Sequence, residues 1–179
     1  MQIRLTLLFF LLAADALVSA QQPQPYDING VKLGASFSEW RKGAGARCVD
    51  FEHVEPNVAS YSCPDLSYQG VPLQQVVNFF HGRLISVYMV AAHADFAALR
   101  IALKQKFGAP WRTEQRAYPL DGITLNGEHN RWSNGVTSIN LAEFGPDRNH
   151  SVLFFSHIEI MAEKTRETKG GASGRSPLQ

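Results

Sequence analysis

The pattern of apolar and polar positions predicts two β-hairpins in the first half of the chain. Segments 75–80 and 84–91 are dense in apolar residues, and His81 and Gly82 lie between them. A two-residue turn fits this spacing, with Gly82 adopting a positive φ. So many apolar residues predict a central position in a sheet that packs one face on helices.

A shorter hairpin is predicted just before it. Segments 48–54 and 58–63 are rich in β-branched and aromatic residues, and Glu55, Pro56 and Asn57 between them are typical of turns. Residues 64–72 are interpreted as the loop that leads to the next hairpin.

Two helices are predicted from capping signals and apolar spacing. Ser36 and Glu39 have the spacing of a capping box and begin a helix over 37–42, which Gly43 ends. The second helix follows Asp95 and ends at Gly108. Its apolar residues recur every three or four positions: Phe96, Leu99, Leu103 and Phe107.

The remaining chain predicts further strands. Segments 111–117, 128–132, 136–144 and 151–161 are expected to be extended, and the stretch between the first two is rich in turn residues. A helix followed by several strands thus occurs twice. We therefore predict an α+β fold of two helix-plus-antiparallel-sheet repeats, with the sheet packed on helices on one face.

The N-terminus has the three-part organisation of a secretory signal. Arg4 precedes an apolar run over 5–14, and small residues end at Ala20, where we expect cleavage. A membrane span would need about 20 apolar residues, so the run is too short for an anchor. Gln21 stands where a lipoprotein would carry its acylated cysteine. The expected location is periplasmic or secreted.

The expected domain organisation follows from composition. Residues 1–20 form the signal peptide and 21–25 a loose lead-in. A single domain covers 26–161, with repeat one at about 26–92 and repeat two at about 93–161. The tail 162–179 is polar and rich in glycine and serine, so we expect it to be disordered.

The two cysteines predict a structural disulfide. Cys48 and Cys63 flank the turn of the first hairpin, and thiols oxidise outside the cytosol. Facing residues of an antiparallel pair are close enough to be bridged. The alternatives are a metal site, or cysteines that are unpaired or linked between molecules. Redox catalysis is disfavoured because no Cys-x-x-Cys occurs.

The first half resembles a known repeat. The segment Gly30-Val-Lys-Leu-Gly34, the capped helix, the strands around Cys48 and Cys63 and the strand-turn-strand of 77–84 are similar to the repeat of secreted β-lactamase-inhibitor-like proteins. The helix-plus-three-strand plan of small outer-membrane assembly lipoproteins is also similar. About sixty residues carry the resemblance. It implies a fold that binds other proteins on a sheet face, and a disulfide between neighbouring strands.

Composition and motifs narrow the functional classes. The net charge is +1, from 17 basic and 16 acidic residues, and no basic stripe indicates nucleic-acid binding. No metal-binding or nucleophile motif is present, so we expect no cofactor, no metal and no catalytic residue. We predict an exported protein-binding module, either an inhibitor or an assembly accessory, and not an enzyme. The alternative is a small secreted hydrolase or a small-ligand-binding protein whose site follows no motif.

Large aromatic residues give the one hint of a binding site. Trp, Tyr and Arg are enriched at binding hot spots. A patch is therefore predicted from Trp111, Tyr118, Arg131 and Trp132. The alternative is that both tryptophans pack at the edge of the core.

Overall fold

The apolar strands assemble into one antiparallel sheet with helices at its faces. The computed structural model describes residues 24–28, 30–51, 55, 57–120 and 122–173. Its elements, in chain order, are β1 (Asp27–Ile28), β2 (Val31–Lys32), α1 (Phe37–Lys42), β3 (Val49–Phe51), β4 (Val58–Tyr68), β5 (Val71–Phe80), β6 (Arg83–Ala92), α2 (Phe96–Phe107), β7 (Arg112–Leu120), β8 (Ile123–Ser133), β9 (Thr137–Ala142), β10 (His150–His157) and α3 (Ile158–Ser173).

The main sheet has eight strands in the order β3-β4-β5-β6-β10-β9-β8-β7, and β1 and β2 form a separate two-stranded ribbon. Strands β3 to β6 form one meander and β7 to β10 form another. The two meanders join where β6 pairs antiparallel with β10, from Ala92 opposite His150 to Ser86 opposite Ser156.

This continuous sheet contradicts the predicted fold class. Two helix-plus-antiparallel-sheet repeats would each keep their own sheet, whereas one sheet crosses the expected boundary at β6 and β10. One apolar core also contains residues of both halves, such as Phe79 and Ile139. The physical reason is that separate sheets would leave two apolar strands with unpaired edges. Local sequence patterns do not indicate which strand edges pair.

Helices α1 and α2 cover one face of the sheet. Leu99 and Leu103 of α2 are buried in the core, as their spacing predicted. Trp40 of α1 is also buried, and its ring lies 5.0 Å from Phe79 and 5.2 Å from Tyr61. These contacts make this face the interior of the domain.

The predicted local signals at α1 and at the β5–β6 turn are confirmed. The Ser36 side chain accepts from the Glu39 backbone, and Glu39 accepts from the Ser36 backbone. His81 and Gly82 have φ values of 48° and 72°. Both lie in the left-handed region that a two-residue hairpin turn requires.

The predicted disulfide between Cys48 and Cys63 is confirmed. The Cα atoms lie 4.2 Å apart and both side chains are buried. The bridge continues the β3–β4 register, in which Val49 faces Ser62. A closed loop of about fifteen residues stabilises the fold by about 3 kcal/mol in the chain-entropy model.

Two predicted loops are strands. Residues 64–72 were expected to form a loop, but β4 continues to Tyr68 and β5 begins at Val71. The pairing shifts register between Cys63 and Leu66. Pro64 cannot donate to the ladder, and here it lies in an irregularity of the strand and does not end it. Likewise, the turn-rich stretch before residue 128 belongs to a long β7–β8 hairpin.

The prediction of disorder after residue 161 is wrong for residues 162–173. These residues belong to α3, which begins at Ile158, inside the segment expected to be a strand. Ile160 is buried with Phe80 and Ile85, and Glu163 accepts from Arg83 at 2.6 Å. Composition alone indicated disorder because these stabilising partners lie far away in the sequence. The predicted signal peptide at 1–20, residues 21–23 of the predicted lead-in and residues 174–179 lie outside the described residues.

A candidate binding face on the sheet

The sheet face opposite α1 and α2 is the candidate functional surface. We call it the open face. Because side chains alternate along a strand, every second residue of each strand lies on the open face. Residues that face one another across neighbouring strands form rows that run across the sheet. Three such rows of facing residues cross it, and each has its own chemistry.

The central row is apolar and aromatic on one side and basic on the other. Tyr88 of β6 faces Phe154 of β10, and both side chains are half-buried. The row, in spatial order, is Val49, Ser62, Val76, Tyr88, Phe154, Asn140, Arg131 and Arg112. Aromatic residues flanked by arginines are the composition that protein interfaces favour.

A polar row lies beside it. Its members are Phe51, Ser60, Asn78, Ser86, Ser156, Ser138 and Ser133. Ser60 donates to the Asn78 carboxamide oxygen at 2.7 Å, and the Asn78 nitrogen donates to Ser86 at 3.1 Å. These bonds hold the amide in one orientation at the floor of the open face.

The third row ends at a histidine and a glutamate that face each other. It comprises Gln74, Val90, Val152, Ala142, His129 and Glu114. The ends of this row and of the central row, together with Arg116, form what we call the arginine cluster: Arg112, Glu114, Arg116, His129 and Arg131.

Glu114 is the centre of the arginine cluster. It lies 2.6 Å from Arg112 Nη2, 2.6 Å from Arg116 Nε and 3.2 Å from Arg131 Nη2. The hydrogen bond from Arg116 and the charges of the three arginines lower the pKa of Glu114. The carboxylate is therefore ionised at neutral pH.

His129 is buried beside these charges. Its side chain is 8% exposed, and Nδ1 lies 3.6 Å from Glu114 Oε1. Burial lowers the pKa of His129, and the positive charges of Arg116 and Arg131 lower it further, against the opposing effect of Glu114. The imidazole is therefore neutral at pH 7.

Three buried polar atoms at this end have no hydrogen-bond partner within the described part of the chain. They are Tyr118 Oη, His129 Nδ1 and Arg131 Nε. Burial raises the pKa of Tyr118, so its hydroxyl keeps its proton and can donate. Unsatisfied buried polar groups are uncommon in folded proteins, so their grouping in one place calls for a partner.

A cleft lies at the opposite end, where α3 crosses the open face. Its volume is about 370 Å³. The Lys164–Glu55 ion pair lies at the cleft. The lining consists of an apolar set (Phe51, Val58, Val76, Ile85, Phe154 and Met161) and the polar residues Ser60, Asn78 and Ser86. The cleft could enclose a small ligand or one side chain of a larger partner.

The four residues of the predicted patch do not form one surface. Tyr118 and Arg131 lie on the open face, near the arginine cluster. Trp132 follows Arg131 on β8 and points to the opposite side, where it is 2% exposed and donates through Nε1 to Gly108 O at 2.8 Å. Trp111 is 62% exposed and precedes β7. The alternative interpretation, in which both tryptophans pack at the edge of the core, therefore holds for Trp132 and not for Trp111.

Sequence reasoning missed Tyr88, Phe154, Glu114 and His129. For Glu114 a signal existed, because the run Arg112-Thr-Glu-Gln-Arg-Ala-Tyr118 alternates and places every second residue on one face. The pairing of Tyr88 with Phe154 had no local signal. It depends on the contact of β6 with β10, which are more than fifty residues apart.

The part of the chain that the structure describes contains neither a group of metal ligands nor a membrane-spanning helix. No group of three or more His, Cys, Asp or Glu side chains could hold a metal ion. No helix there is both long and apolar enough to span a membrane.

Comparison with known proteins gives one structural neighbour to report. No protein-family model matches the chain, and no curated protein matches it. A crystal structure of a cysteine-rich secretory protein from Staphylococcus aureus subsp. aureus Mu50 is similar, with 13% sequence identity and a TM-score of 0.44. The match covers 80% of this chain and 50% of that protein, so the chain spans about half its length. The functional proposal therefore depends on the geometry of the open face.

Proposed function

We propose that this protein is an exported module that binds another protein through the open face of its sheet. The observation that carries the proposal is the half-buried Tyr88–Phe154 pair at the centre of a face with polar and basic borders. Interfaces commonly combine an aromatic centre with a polar rim. Inhibition of a partner enzyme and assistance in an assembly process are the two forms that we consider for this binding.

The size of the open face supports a protein partner. Eight strands have seven spacings of about 4.8 Å, which make the face roughly 34 Å wide. Three rows, two residues apart, extend it by roughly 14 Å along the strands, before side chains are included. The resulting area is about 480 Å², somewhat more than half of the roughly 800 Å² per partner of a standard interface.

The disulfide supports export, because disulfides persist in oxidising compartments. The Cys48–Cys63 disulfide fits an extracellular or periplasmic protein. The signal-like N-terminus supports the finer proposal of cleavage near Ala20 and release as a periplasmic or secreted protein.

The cleft beneath α3 favours a second candidate function, the binding of a small ligand. Its volume of about 370 Å³ lies at the lower end of the range for ligand pockets, and apolar walls with a few oriented polar groups are typical of such sites. Mass spectrometry of small molecules released from the purified protein tests this function. The variant Ser86→Phe, which fills the floor of the cleft, should release none.

The test of protein binding is affinity capture from the exported fraction with the processed chain as bait. We expect a protein that binds the wild type to bind the Tyr88→Ala/Phe154→Ala variant about thirtyfold more weakly, since hot-spot truncation costs about 2 kcal/mol or more. The matched control is Trp111→Ala, which removes an exposed aromatic outside the open face and should leave binding unchanged.

Folding must be separated from binding in this test. Arg112→Glu alters an exposed residue of the open face and should weaken the same partner without lowering the midpoint of thermal unfolding. A partner retained by both open-face variants but lost with Trp111→Ala would contradict the proposal and would place binding near the start of β7.

A further inference from the structure

The arginine cluster carries more positive charge than its own acidic residue can balance. Arg112, Arg116 and Arg131 surround one carboxylate, that of Glu114. Each guanidinium has five N–H donors, so two carboxylate oxygens can accept only a small share of them. His129 adds no negative charge. The cluster therefore has an excess of two positive charges and many unused donors.

Glu143, whose charge also acts on Tyr118, is already engaged. It accepts from the backbone of Glu128 at 2.7 Å and lies 3.4 Å from His93 Nε2. Glu128 itself receives two hydrogen bonds from Arg100. Neither residue is free to neutralise the arginines.

The unpartnered atoms lie in the same place. His129 Nδ1 and Arg131 Nε are buried without a hydrogen-bond partner among the described residues, and so is Tyr118 Oη. The His129 side chain is more than nine-tenths buried. A buried polar atom without a hydrogen-bond partner destabilises the fold, and a bound acceptor removes this penalty. The structure thus combines surplus charge with donors that await an acceptor.

We propose that the arginine cluster is a carboxylate-binding site, in which Arg112, Arg116 and Arg131 bind an anionic carboxylate in addition to Glu114. The planar fork of the guanidinium matches the two oxygens of a carboxylate, and each of the three arginines already contacts one oxygen of Glu114. Arg112 and Arg116 are about half exposed, so a ligand can reach them from solvent.

The carboxylate can come from a free organic acid or from an acidic side chain of a protein partner. A carboxylate from a protein partner would make the arginine cluster part of the protein-binding face, and this case rests on the proposed function. The cluster would then fix the orientation of the partner, because it lies at one end of the central row, beyond the aromatic pair. In the first case the site exists without any protein partner.

Nuclear magnetic resonance titration of the purified chain tests the site. Acetate is added at constant ionic strength, with chloride as the control anion, and the Arg131 Nε–H and His129 ring signals are followed. We expect saturable shifts with acetate and none with chloride. A second titration with a hexaglutamate peptide tests the protein source, since a site for acidic side chains should bind it at least tenfold more tightly than acetate.

Variants give the site a signature that a purely structural role would not produce. Arg112→Gln and Arg131→Gln should each weaken acetate binding at least tenfold. Glu114→Gln removes the competing carboxylate and should strengthen it at least tenfold. Arg166→Gln, on α3 at the far end of the open face, is the matched control and should change nothing.

The outcomes separate the two proposals. Absence of saturation with acetate, equal shifts with chloride, or unchanged binding in both arginine variants would overturn the carboxylate site. Weaker binding in Glu114→Gln would overturn it as well, because Glu114 would then be part of the binding unit. Saturation with acetate but not with hexaglutamate assigns the site to a free organic acid and leaves the capture experiment to decide on protein binding.

Discussion

At the residue scale, neighbours on one strand have opposite roles because the strand alternates. Arg131 reaches the arginine cluster, whereas Trp132 fills the core and donates to Gly108 O at the end of α2. Asn130, also buried, donates to Glu128 and accepts from Thr113. On β8, therefore, the side of the sheet decides whether a polar group is satisfied by the protein or left for a ligand.

The buried neutral state of His129 predicts that the fold loses stability in mild acid. Its pKa is lowered from 6.5 by burial and by Arg116 and Arg131. Below pH 6.5 His129 is protonated in the unfolded chain but stays neutral in the folded chain. The free energy of unfolding therefore falls as the pH drops from 6.5 toward the lowered pKa of the folded state. The pKa of His157 is also lowered by burial and acts in the same direction.

Urea unfolding at pH 7.5 and pH 5.5 measures this loss. The wild type should be less stable at pH 5.5, and His129→Gln should show a smaller difference between the two pH values. Equal stability of the wild type at both values would show that the imidazole titrates normally.

At the element scale, capping and turn signals specify short elements, while long-range contacts decide the longer ones. The α1 helix and the β5–β6 turn follow from Ser36, Glu39 and Gly82. The α3 helix does not follow from such local signals, because its sequence is mostly polar and the residues that hold it in place lie on β5 and β6. Ile160 is 3% exposed against Phe80 and Ile85.

Ile160→Ala should therefore release α3 from the sheet. Removing a buried isoleucine side chain to alanine costs about 2 kcal/mol or more. We expect backbone amides of α3 to exchange with solvent about thirtyfold faster, since 2 kcal/mol corresponds to that factor, while β5 and β6 amides change little.

Ile158→Ala is the matched control for this change, because Ile158 lies two residues away on the same helix and is 37% exposed. Its effect on exchange should be small. Similar effects of the two substitutions would mean that Ile160 does not anchor the helix.

At the scale of the whole molecule, the joining of β6 to β10 makes one folding unit. The core cluster contains Trp40 and Phe79 of the first half and Trp132 and Ile139 of the second. A shared core and one sheet that spans both halves favour unfolding as a single cooperative step.

Hydrogen exchange of the native protein tests this cooperativity. The slowest amides of β5 and of β9 should open with the same free energy, equal to that of global unfolding. Leu153→Ala, in the core on β10, should lower both by the same amount. A lower opening free energy for one meander alone would mean that the halves fold separately.

Much of the local structure could be predicted from the sequence, and much of the candidate site could not. Alternation of apolar residues and turn residues indicates the strands. Once a hairpin is predicted there, the positions of Cys48 and Cys63 predict the disulfide between them. Of the predicted patch, Tyr118 and Arg131 reach the open face and Trp132 does not. The strand over 111–117 was predicted, but the turn residues after it concealed its continuation into the long β7–β8 hairpin.

What the sequence by itself determined is therefore the set of interactions between near neighbours: the capping box, the tight turns, the disulfide hairpin and the apolar face of α2. Only the tertiary structure decided that the two meanders share one sheet, that Tyr88 faces Phe154, and that α3 is ordered. The physical reason is that the strand edges and apolar surfaces are similar to one another in chemistry. Which of them pair depends on burying all of them at once, and no short stretch of sequence contains that information.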